Sequence, residues 1–158
     1  MRTIVPLLLA LSLLACNHAS NEHALQTRID SLESKLANTY KPGFGEFMSS
    51  IQVHHAKLWF AGQSQNWKLA DFEINEIKES LEGIKEYCTD RTETKSIDMI
   101  APSMDSLSNA IEHQDMAQFN KRYLVLTSNC NNCHHATNHA FNVIKVPSNP
   151  PFSNQDFK

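Results

Sequence analysis

Between residues 44 and 138 the apolar positions recur four times in alternating steps of three and four. Met48, Ile51, His55, Leu58 and Gly62 make the first seam, over about 44–62. Trp67, Ala70, Ile74, Ile77, Leu81, Ile84 and Cys88 make the second, over about 66–88. The third, about 96–113, holds Ile97, Ile100, Met104, Leu107 and Ile111, and the fourth, about 115–138, holds Met116, Phe119, Tyr123, Leu126, Cys130, Cys133 and Thr137. That period is the signature of helices burying one stripe against neighbours at shallow angles. No run alternates apolar and polar residues long enough to build a sheet. The links "AGQSQN", "TDRTETK" and "EHQD" are short and polar, and short links force successive helices to run antiparallel. The expected fold is therefore all-α, an antiparallel up-down-up-down four-helix bundle over 44–145. Pro102 lies inside the third seam and should kink that helix or divide it in two.

The segments on either side of the bundle read differently. "MRTIVPLLLALSLLAC" has a cationic start, an apolar run too short to span a bilayer, and a small residue before Cys16. It reads as a secretory signal over 1–16, and "LLAC" resembles the bacterial lipobox, which makes Cys16 the acylated N-terminus of an exported, lipid-anchored protein. A plain signal peptide cut elsewhere is the alternative. Residues 17–43 place Leu25, Ile29, Leu32 and Leu36 on one face, a stalk helix expected to end near Pro42-Gly43. Two heptads are few for a coiled coil. The tail 146–158 carries three prolines and is expected to be an irregular coil on the bundle surface.

Without Cys16 the exported chain keeps three cysteines, an odd number, so a simple disulfide framework does not account for them. Two belong to "CNNCH" at 130–134, the C-x-x-C-H attachment signature of c-type haem. The spacing has a physical reason: two thiols form thioethers to the two vinyl groups of one porphyrin, and the next residue's imidazole coordinates the iron. The expectation is one covalent haem c, held by Cys130 and Cys133 with His134 as proximal ligand. A thioredoxin-like pair should open a helix after a strand, whereas this motif closes a helix with no strand before it. A zinc site needs further ligands at similar spacing, which Cys88 alone does not supply. A disulfide within the motif would be strained.

A single C-x-x-C-H near the C-terminus of an all-helical domain resembles the class II cytochromes c, the group of the cytochromes c′ and their methionine-ligated relatives. The resemblance covers 44–138 through architecture and motif position, with "CNNCH" as its sequence match; the stalk and tail are not features of that family. It implies a haem carried on the last helix. In such a bundle the end of the last helix lies level with the start of the first. Met48 is then at the right height and on the right face for the distal position. His55 is the alternative, about 10 Å further along the axis at roughly 1.5 Å per residue, and otherwise reads as a neutral core histidine hydrogen-bonded to a neighbouring side chain. The cytochromes c′ leave this position vacant, so an open iron stays in play. His54, His135 and His139 share the seam less cleanly, although His139 could fold back after the helix ends. Trp59 and Trp67 read as core or haem wall, Tyr123 as a packed ring able to reach a haem carboxylate, and Cys88 as a buried, inert thiol.

Net charge is −3, which offers no footprint for nucleic acid. The charge is unevenly spread: residues 71–86 hold six carboxylates against two lysines, whereas 116–155 hold Lys121, Arg122 and Lys145 and no carboxylate. The haem end is thus relatively positive, suited to an acidic redox partner. No nucleotide-binding glycine loop or nucleophile elbow is present in the sequence. The chain reads as a lipid-anchored one-electron carrier of the bacterial cell envelope, facing the periplasm or exterior, and not as an enzyme. The alternatives are a gas-binding or gas-sensing haem protein with an open or displaceable distal site and, more remotely, a peroxidase using His55. Self-association into a homodimer, common in the resembling family, is left open.

Overall fold

The structure is a computed structural model describing residues 4–37 and 39–158, with side chains described from residue 21 onward except at 38. Among the described residues it is all-helical, with no strand. It divides into two units, 1–41 and 42–158.

The first unit contains one helix, α1 (Ile4–Ala37). It ends five residues before Pro42, earlier than the sequence suggested: Thr39 N–H turns back to the Leu36 carbonyl, so the chain leaves the helix before proline forces it to. Leu25, Ile29, Leu32 and Leu36 are all exposed. Among the described residues, no helix is long and apolar enough to cross a membrane. Cys16 precedes residue 21, so its side chain lies outside the description.

The second unit contains α2 (Phe44–Gln63), α3 (Trp67–Tyr87), a 3₁₀ segment (Thr92–Met99), α4 (Ala101–Glu112) and α5 (Met116–Ala136). Local chemistry sets the boundaries. Gly43 N–H donates to Glu46 Oε2 at 2.7 Å where α2 begins. Asn66 Oδ1 accepts from Leu69 N–H at 3.2 Å at the head of α3, and Asp115 Oδ1 accepts from Gln118 N–H at 3.0 Å at the head of α5, each filling a donor that the helix leaves unpaired. Both caps follow a glutamine in the left-handed conformation, Gln65 (φ 56°) and Gln114 (φ 53°). Each glutamine closes the helix before it, and the capping residue's own N–H bonds to Ala61 O or Ala110 O at 3.0 Å or less. The α2–α3 and α4–α5 turns are thus built alike. Pro102 divides the third seam as expected: it sits in the first turn of α4, where a missing N–H costs nothing, and the chain before it winds as 3₁₀.

The four seams meet in one core. Its fully enclosed side chains include Leu58, Ile74, Ile84, Met104, Leu107, Phe119, Tyr123 and Leu126. Helix α3 packs on α2 and α4, and α4 packs on α5. Between α2 and α5 the contacts run in opposite order along the two helices: Gly62 on Phe119, Trp59 on Phe119 and Tyr123, His55 on Tyr123 and Thr127. Gly62 is required, since a Cβ there would lie 2.0 Å from the Phe119 ring. Glu73 of α3 is fully buried, with Oε2 2.6 Å from His54 Nδ1 and Oε1 3.3 Å from Lys57 Nζ, an ion pair without hydrogen-bond direction. The proline-rich tail is non-helical. It places Phe157 in the core, 5.7 Å from the Phe60 ring, and ends beside Asn66 at the α2–α3 turn.

Candidate functional site

Beyond the His55–Tyr123 contact, the first half of α2 and the last two turns of α5 enclose a cavity of about 360 Å³. Cys130, Cys133 and His134 line it from α5, Met48 and His55 from α2, and Leu81 and Ile100 close it with apolar surface. Four separate sequence expectations, the thiol pair, the imidazole, the methionine and the alternative histidine, thus meet at one place.

The thiols stand three residues apart on one helical face, a spacing that points both the same way. Neither is in a disulfide. Burial, and secondarily the neighbouring Cys133, pushes the Cys130 thiol up to about 12, and burial raises Cys133 as well. Cys133 donates weakly to the Ser96 carbonyl at 3.7 Å. Both sulfurs are therefore protonated at neutral pH, the opposite of what a thiolate-driven redox pair requires.

His134 is held from behind. Its Nδ1–H donates to the Asn142 carbonyl at 2.6 Å, which fixes the tautomer and leaves Nε2 with its lone pair. The loop carrying that carbonyl is itself pinned. Asn138 takes the left-handed conformation (φ 63°) just past α5, and His139 N–H returns to the His134 carbonyl at 2.7 Å. Asn131 then clamps Ile144, accepting from its N–H and donating to its carbonyl, each at 2.8 Å. His139 also lines the cavity, with Nδ1–H on the Thr137 carbonyl at 2.7 Å.

His55 is engaged in a different way. Its Nε2 is 2.9 Å from Thr127 Oγ1, and its Nδ1 is 3.0 Å from the Tyr123 hydroxyl. The hydroxyl of Thr127 donates to the Tyr123 carbonyl at 3.0 Å, so His55 carries its proton on Nε2 and donates it to Thr127. The Tyr123 hydroxyl in turn donates to the His55 carbonyl at 2.8 Å, with Nδ1 sharing that proton. Burial lowers the histidine to about 4, so the ring is neutral. Both ring nitrogens already have partners, whereas the Met48 thioether has no competing bond among the described residues. Tyr123, which could have met a haem carboxylate, is fully buried and its hydroxyl is spent on His55. Trp59 and Trp67 pack on Phe119 and do not line the cavity. His54 faces Glu73, His135 is exposed, and Cys88 is buried with its thiol raised chiefly by desolvation.

Sequence reasoning missed Asn142, whose backbone orients the imidazole, and the pair Arg91–Glu93 at the cavity. The Arg91 guanidinium meets the Glu93 carboxylate at 2.8 and 3.3 Å and lies 5.7 Å over the Phe44 ring. These residues sit in irregular segments or a 3₁₀ turn, which carry no period to read. Among the described residues, no group of three or more His, Cys, Asp or Glu side chains converges to hold a bare metal ion. The groups that line the cavity are two thiols, two further histidines beside His134, a thioether and apolar walls. Compared with protein-family models, with curated proteins and with solved structures, the chain matches none.

Proposed function

We propose that this chain is a monohaem c-type cytochrome of the class II kind, a one-electron carrier anchored by lipid at Cys16 in the bacterial cell envelope. The observation that carries the reading is the convergence of Cys130, Cys133, His134 and Met48 on one apolar cavity. In this reading α2 to α5 form an antiparallel up-down-up-down four-helix bundle, and the inverted order of contacts between α2 and α5 supports it. The residues suit a porphyrin: two inward thiols, an imidazole with Nε2 available, apolar walls and one cation at the cavity.

When bound, haem supplies an iron centre that exchanges one electron. Cys130 and Cys133 would hold the porphyrin, each thiol adding across one vinyl group to give a thioether, so that the cofactor is not lost outside the cytoplasm. His134 would offer Nε2 to the iron, and the Asn142 carbonyl keeps the ring from rotating. Met48, which lines the cavity from α2, would offer its thioether as the second protein ligand. His55 stays neutral and hydrogen-bonded within the cavity wall. Leu81, Ile100 and Ile51 keep water from the centre. Phe141 and Val143 are exposed on the loop over the site, and Lys145 follows them, which suits docking by an acidic redox partner.

Ferric and ferrous absorption spectra of the matured protein test the axial ligation. A low-spin spectrum with an iron–sulfur charge-transfer band is expected, and Met48→Ala should abolish that band and open the iron to carbon monoxide. A spectrum unchanged by Met48→Ala rejects the distal ligand. A wild-type protein that is already high-spin and binds carbon monoxide supports the gas-binding reading instead.

A further inference from the structure

We propose that Arg91 is the anchor for a carboxylate of the bound porphyrin, with Glu93 holding the guanidinium in position for it. This rests on the haem reading above and adds a binding residue that the C-x-x-C-H motif does not specify. A haem is amphiphilic: most of its surface is apolar, but one edge carries two carboxylates. Burying an ionised carboxylate without a partner is costly, so that edge must emerge where the pocket offers charge. Among the described residues lining the cavity, Arg91 is the only lysine or arginine and Glu93 the only carboxylate. Arg91 is partly exposed, with a side-chain exposure of 48%, and so stands where the cavity meets solvent.

The guanidinium geometry explains how one arginine can serve two carboxylates. Glu93 occupies the edge formed by Nε and Nη2, at 3.3 and 2.8 Å. The planar group has a second edge, formed by Nη1 and the other proton of Nη2, which presents another parallel pair of donors. No hydrogen bond fills that edge among the described residues. The ring of Phe44, 5.7 Å from the guanidinium carbon, restricts its tilt. Fixed on one edge and one face, Arg91 has a single edge left for a bidentate carboxylate contact.

The test uses the matured holoprotein and its Arg91→Gln, Arg91→Lys and Glu93→Gln variants. Covalent haem is measured first, by the mass of the intact chain. The readouts are the reduction potential and the resonance Raman band for bending of the haem carboxylates, which responds to hydrogen bonding at them. Arg91→Gln should lower the potential, because a positive charge near the iron is lost, and should shift the band. Glu93→Gln should raise the potential and shift the band by less than Arg91→Gln does, because the guanidinium loses the carboxylate that fixes it. Arg91→Lys keeps the charge but not the fork, so it should shift the band with less change in potential; it also provides a reading if the glutamine variant fails to fold. A haem-bearing protein whose band is unmoved in both Arg91 variants overturns the anchor and leaves the haem reading standing. A protein without covalent haem overturns the reading, and the anchor with it.

Discussion

Acidification should destabilise this protein through His55 in a way that can be isolated. The ring is 4% exposed, both its nitrogens are in hydrogen bonds to Thr127 and Tyr123, and burial lowers it from 6.5 to about 4. Above pH 6.5 the histidine is neutral whether folded or unfolded and contributes nothing to pH dependence. Below it the unfolded chain binds a proton that the folded chain refuses, so stability falls with pH until about pH 4 and then levels. At about 1.4 kcal/mol per pH unit, the loss over that window is about 3 kcal/mol. That is a large fraction of the roughly 5–15 kcal/mol that holds a domain together. The assay is urea unfolding followed by circular dichroism at a series of pH values between 7 and 4, on the wild type and His55→Gln. Glutamine cannot ionise, so the wild type's stability relative to the variant should shrink by about 3 kcal/mol as pH falls from 7 to 4. Carboxylates and the other histidines titrate in both proteins and cancel in the difference. A difference that stays constant with pH would show that His55 protonates freely in the folded state and would refute the network around it.

Two further outcomes follow from packing and charge. Gly62→Ala should destabilise the second unit by about 1–3 kcal/mol in thermal or urea unfolding: the new methyl meets Phe119, a ring hemmed in by Trp59, Trp67 and Tyr123, and overpacking outweighs the helix propensity that alanine gains. Electron exchange with an acidic redox protein, followed by stopped-flow absorbance, should slow as salt rises from about 10 to 300 mM, because the encounter is steered by charge; a rate independent of salt counts against the docking reading.

How much of this was legible in the sequence depended on whether a residue belonged to a repeating pattern. The seams could be read because burial on a helix imposes a period, and Leu58, Ile74, Leu107 and Phe119 are enclosed as that period requires. Pro102 could be read because a missing N–H has only a few tolerable places. The left-handed glutamines at 65 and 114 gave no signal, since glutamine has no preference for that conformation and the turn is set by the cap that follows it. The end of α1 at Ala37 was missed because proline marks where a helix must have stopped, not where it does. At the site, Cys130, Cys133 and His134 announced themselves by spacing, and Met48 by its place on a seam. Arg91, Glu93 and the Asn142 carbonyl did not, because the tertiary fold brings them to the cavity from segments without a period. Tyr123 packs in the core, the commoner of the two roles its place on the seam allows; its hydroxyl partner, the adjacent His55, is a pairing across two helices that no local spacing reveals.

The central claim is a covalent bond between this chain and a porphyrin at Cys130 and Cys133. The protein should be expressed with a working haem-attachment system, denatured, and extracted with acidified acetone, with the intact mass measured before and after. The colour should stay with the polypeptide, the mass should exceed the chain by one haem, and Cys130→Ala combined with Cys133→Ala should remove both signals. Colour that passes into the solvent, or a mass equal to the bare chain, would contradict the claim.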